Sequence, residues 1–146
     1  MNQTAAQRPP MAGFHHFGIT VTDVEASANW YQRVLGLERL PAKFPHYGNE
    51  GGGYAVLLAD FGCGVVIGLQ HNKRNDGRPF DEARTGLDHV SVSVPGRSDL
   101  ESWAEWLNNL SVRHSGVTDI DEPVKYSALV FRDPDNIQLE FIFMGA

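Results

Sequence analysis

Residues 87–94, LDHVSVSV, alternate without a break. Val90, Val92 and Val94 fall on one face of an extended chain. His89, Ser91 and Ser93 fall on the other, because successive strand side chains point to opposite sides. This is the pattern of a half-buried strand. A similar stretch stands 73 residues earlier: FHHFGITVT, Phe14 to Thr22, where Phe17, Ile19 and Val21 share a face and His16, Gly18 and Thr20 oppose them. His16, Ile19 and Val21 superpose on His89, Val92 and Val94. A helical pattern follows each strand. After the first, Thr22 or Asp23 caps a helix predicted to run to about Leu35, with Ala28, Tyr31, Val34 and Leu35 at helical spacing and Gly36 as a left-handed stop. After the second, Ser98 and Glu101 read as a capping box for a helix with Leu100, Trp103, Leu107 and Leu110 on one face.

Three further strands are predicted in each half, near 37–44, 53–59 and 65–71 and near 112–118, 126–132 and 137–143. The ends of the halves agree as well: Ile67 and Gly68 map onto Leu139 and Glu140 at an offset of 72. One strand-helix-three-strand unit repeated twice accounts for the whole pattern, which makes the fold α+β with two βαβββ modules. Residues 1–12 read as a disordered tail and 13–146 as a single domain, with module one at 13–72, a polar, breaker-rich linker at 73–85 and module two at 86–146.

Composition narrows the function. The chain has 146 residues and a formal net charge of −6, with no basic stripe, which argues against nucleic acid and against anionic membrane surfaces. No apolar run approaches the ~20 residues of a membrane span, and the N-terminus has no signal-peptide core. The single cysteine, Cys63, permits no internal disulfide and has no base nearby in sequence. A cytoplasmic location is the expectation.

Strand parity indicates which polar side chains meet. If the helices cover the apolar faces, the opposite faces line a shared cup holding His16, His89, Glu140 and Gln70. Two imidazoles and one carboxylate are the ligand set of a facial triad, which leaves metal positions open for water or substrate. His16, His89 and Glu140 are therefore the predicted metal ligands. His15 and His71 have the opposite parity and read as edge residues. Trp30, Trp103 and Trp106 read as helix–sheet packing.

These segments resemble the vicinal oxygen chelate superfamily, the glyoxalase, bleomycin-resistance and extradiol-dioxygenase group. HFGITVTD with SANWYQRVLGL resembles its opening strand and helix, GLDHVSVSV the start of its second module, and FRDPDNIQLEF its closing turn and strand. The resemblance implies a cupped, mostly antiparallel mixed sheet around one divalent metal (Fe, Mn, Zn or Ni), and a homodimer that completes its cups across the interface. It places His16, His89 and Glu140 at three of the family's metal positions and Gly68 at the fourth, where glyoxalase I has a glutamate. The expected function is a metal-dependent enzyme acting on a small substrate that chelates the metal through adjacent oxygens, by lyase, isomerase or dioxygenase chemistry. Glu140, Tyr126 and Gln70 are the candidate catalytic residues, with His46 and Tyr47 further acid–base candidates. The alternative is a metal-free protein that binds an antibiotic, of the bleomycin-resistance type.

Overall fold

A computed structural model describes residues 7–45 and 52–145. Half of the expected tail, and His46 and Tyr47 in the glycine-rich loop, lie outside the described residues. Module one comprises β1 (Phe17–Thr20), α1 (Val24–Leu35), β2 (Glu38–Pro45), β3 (Tyr54–Asp60) and β4 (Val65–His71). Module two repeats it with β5 (Val90–Ser93), α2 (Arg97–Asn109), β6 (His114–Ile120), β7 (Tyr126–Arg132) and β8 (Gln138–Met144). The strands pair in the orders β1-β4-β3-β2 and β5-β8-β7-β6. In each sheet the first strand lies parallel to the last and the other neighbours are antiparallel. The expected α+β fold of two βαβββ modules is present as two four-stranded mixed sheets. Among the described residues no strand of one module pairs with a strand of the other.

The predicted ends of α1 hold. The Asp23 carboxylate accepts from the Ala26 N–H at 3.0 Å, and Gly36 takes a left-handed φ of 67° that lets its N–H reach the Gln32 carbonyl. The predicted capping box of α2 does not form. Gly96 is the cap and has no side-chain bond, and Ser98 already lies inside the first turn. Glu101 is drawn away from the cap by Arg97, which donates to it at 2.9 Å and to Asp119 at 2.8 Å.

The apolar faces of both modules form one core that includes Tyr31, Leu58, Leu69, Leu107, Leu129 and Phe141. Trp103 stacks on Phe141 with ring centroids 4.2 Å apart, and Trp30 packs on Phe131. Polar contacts join the modules on this side. The fully buried Tyr31 hydroxyl donates to Asp133 at 2.8 Å, and Asp133 also accepts from the N–H groups of Asp135 and Ile137. Thr22 donates to Asp135 at 2.6 Å, and the Trp106 indole donates to the Val34 carbonyl at 2.9 Å. The β7–β8 turn is thereby fixed to α1.

A buried acceptor left without its donor loses about 1–3 kcal/mol. Tyr31→Phe should therefore lower the unfolding free energy in urea by about that amount, and Asp133→Ala should cost more because it strands three donors. Unchanged urea midpoints would show that the modules do not depend on this contact.

Candidate functional site

Parallel pairing builds the module-two part of the site. The register sets Ser91 opposite Glu140, and His89 stands one residue before the strand. Ser91 Oγ donates to Glu140 Oε1 at 2.7 Å, and His89 Nε2 lies 3.9 Å from the same oxygen. Asp88 Oδ1 sits 2.7 Å from His89 Nδ1. A carboxylate there selects the tautomer with its proton on Nδ1 and leaves the Nε2 lone pair facing Glu140.

Asp88 is itself held. Gln138 Nε2 donates to Asp88 Oδ1 at 3.1 Å, and Gln138 Oε1 accepts from Arg132 at 2.9 Å. Arg132 makes a bidentate pair with Glu82 at 2.9 and 2.7 Å. That guanidinium, by hydrogen bonding first, holds the Glu82 carboxyl well below its usual range, at about 2. Hydrogen bonds thus run from the linker to the imidazole. Sequence reading assigned no role to Asp88 or Ser91. A carboxylate adjacent to the histidine was the available signal for Asp88. Ser91 was on the correct face but is too common a residue on half-exposed strands to single out.

Module one builds the second part. A cavity of about 620 Å³ is lined by His16, Thr20 and Gln70, with Phe44, Ala55 and Leu57 as its apolar wall. His16 Nδ1 lies 2.7 Å from His15 Nδ1. His15 lines a different recess, of about 280 Å³, together with Ser91 and Ser93. His16 and His15 thus line different recesses, although their rings touch.

The structure brings His89 to Glu140, and His16 to the same cavity as Gln70, but it does not join these pairs within one chain. Among the described residues no three His, Cys, Asp or Glu side chains stand close enough to share a metal ion. Tyr126 is apart from both. Val130 is the partner of Glu140, so Tyr126 shares that face, but it lies four residues along β7, roughly 13 Å away. It lines a separate recess with Asp119 and Lys125.

The model for the Glyoxalase/Bleomycin resistance protein/Dioxygenase superfamily matches residues 13–141, and the chain belongs to that superfamily. It is 24% identical over 106 residues to the "Putative ring-cleaving dioxygenase MhqA" of Bacillus subtilis (strain 168). The match takes in 73% of this chain but 33% of that protein, so the chain spans about a third of the relative's length. Among solved structures it is similar to a glyoxylase/bleomycin resistance protein/dioxygenase domain from Frankia sp. EAN1pec, with a TM-score of 0.78 and 29% identity, covering 93% of this chain and all of that one. It also shares its fold with a lactoylglutathione lyase from Agrobacterium tumefaciens, with a TM-score of 0.63 and 16% identity over 91% of this chain and 94% of that one.

The Arg132–Glu82 pair has a defined pH dependence. A carboxyl depressed in the folded state stabilises fully above its ordinary value near 4.5, and that contribution disappears as pH falls toward about 2. Arg132→Gln should therefore lower the thermal midpoint at neutral pH, and the gap to wild type should close as pH drops from 4.5 toward 2. A gap that stays constant over this range would remove the pair from the account.

Proposed function

We propose that this chain is a metal-dependent enzyme of the superfamily, with His16, His89 and Glu140 holding one divalent ion at a site shared between two copies of the chain. The observation that supports this reading is the approach of His89 Nε2 to Glu140 Oε1, 3.9 Å, with each group oriented by its own hydrogen bond, from Asp88 and from Ser91. An imidazole nitrogen and a carboxylate oxygen held this way fit a divalent cation, and a second imidazole completes a set suited to iron. His16, in the other module, would come from the second copy, because one chain does not bring it to His89 and Glu140. A two-fold axis gives two such sites per dimer.

A metal bound there would act as a Lewis acid on a substrate presenting two adjacent oxygens. The chain's own residues do the remainder. Asp88 fixes the His89 ring, Ser91 fixes Glu140, and Phe44, Ala55 and Leu57 offer an apolar wall to the body of a small molecule. That wall suits a flat ring, and the Bacillus relative is named as a ring-cleaving dioxygenase, so ring cleavage is the reading we favour over lyase or isomerase chemistry. Tyr126 is too far along β7 to serve Glu140 of the same chain as an acid–base partner. Gln70 is placed to touch a ligand in the cup.

Elemental analysis of protein purified without added metal or chelator should give about one divalent ion per chain. His16→Ala and Glu140→Ala should each lower it sharply, whereas His15→Ala should leave it unchanged. Sedimentation equilibrium should give the mass of two chains. Full metal retention by His16→Ala would overturn the ligand assignment, and a metal-free wild type would favour the antibiotic-binding alternative.

A further inference from the structure

The cavity of module one offers a substrate little charge. Among the described residues that line it there is no Asp, Glu, Lys or Arg. Gln70 folds its carboxamide back over the paired glycines Gly18 and Gly68, where an added Cβ would come within 2.9 and 2.8 Å of Nε2. An anionic group on the substrate would have to be met from module two.

There a recess of about 420 Å³ opens beside the approach of His89 to Glu140. Val130 lines it and is the register partner of Glu140. Arg113 and Arg132 line it as well. His114 pairs with Phe131, so the residue before it, Arg113, falls opposite Arg132. Like charges facing each other across a strand pair are unfavourable unless something neutralises them. Glu82 neutralises Arg132 through their bidentate pair. Arg113 has no such partner: it is exposed and makes no hydrogen bond or ion pair among the described residues.

The neighbouring polar groups are committed elsewhere. His114 Nδ1 accepts from the Gly116 N–H at 3.0 Å, and its Nε2 lies 2.8 Å from Asn108 Oδ1. The Ser115 hydroxyl donates to the Gly116 carbonyl at 2.7 Å and accepts from the Val130 N–H at 3.0 Å. The Asn136 side chain donates to the Phe80 carbonyl at 3.0 Å. The recess is left with one uncommitted group, a guanidinium whose fork of N–H donors matches a carboxylate. No carboxylate is among the described residues that line it. Glu140 lies two strand spacings from β6, roughly 10 Å. A chelating ring with a short acidic arm spans most of that distance, and the arginine side chain covers the rest.

We propose that this recess is an anion subsite, in which Arg113 takes a carboxylate carried on a ring whose adjacent oxygens chelate the metal at His89 and Glu140. The substrate class that fits is a dihydroxyaromatic acid. This rests on the metal reading above. Arg132 stays paired with Glu82 and keeps its bond to Gln138, so binding the acid leaves the support of Asp88 in place.

Two probes that differ in the acidic arm test this: catechol and 3,4-dihydroxyphenylacetate, titrated calorimetrically without oxygen into the protein with its metal. Wild type should bind the acid roughly tenfold more tightly than catechol. Added salt should narrow the gap. Arg113→Ala should abolish the preference and Arg113→Glu should reverse it, both with the metal content of wild type. A wild type that holds metal but shows no preference, or a preference that persists in Arg113→Ala, would overturn the subsite and leave the metal reading standing. Loss of metal in Arg113→Ala would also overturn it, because the residue would then support the metal and not the acid. A wild type that holds no metal and binds neither probe would overturn both.

Discussion

Parallel pairing of the first and last strand in each module is the constraint from which the rest follows. Parallel neighbours cannot be joined by a tight turn and need a long crossover. Here the crossover holds a helix and two antiparallel strands, which bury one face of the sheet and leave the other to polar side chains. The same pairing brings residues about fifty positions apart into one row. It carries Glu140 to Ser91 and His89, and it carries Gly68 to Gly18. The two modules have the same backbone row and opposite contents: a carboxylate with its serine in one, two bare glycines and a folded-back glutamine in the other.

Among the described residues the modules are joined by side chains and not by strand pairing. Tyr31 to Asp133, Thr22 to Asp135 and Trp106 to Val34 all run through the helices and the β7–β8 turn. None involves the faces that carry His16 or Glu140. On the function proposed above, each chain presents two partial sites and a second copy completes both. Within module two, Glu82, Arg132, Gln138 and Asp88 tie the linker to the orientation of a single imidazole, so a change far from His89 in sequence can still turn its ring.

Much of this was legible in the sequence because it depends on local pattern. The alternation around His16 and His89, the Asp23 and Gly36 ends of α1, and the repeat of the whole module follow from spacing alone. Parity also put Glu140 on the face of His89, and the two side chains do approach each other. What was not legible depends on distant side chains. The Ser98 and Glu101 capping box had the right residues, but Arg97 draws Glu101 elsewhere. Tyr126 had the right face but the wrong position along the strand. Gly68 read as a missing ligand, and only the register with Gly18 shows that its bareness makes room for Gln70.

In the proposed enzyme the ligands of one site come from two chains. Mixing inactive partners tests it most directly. His16→Ala and Glu140→Ala chains, each unable to hold metal alone, are combined, allowed to exchange subunits, and assayed for bound divalent metal. In a mixed dimer one site loses both ligands and the other keeps all of them. Recovery of about a quarter of the wild-type metal content is therefore expected from random exchange. No recovery, with subunit exchange verified, would contradict the account and return the site to a single chain.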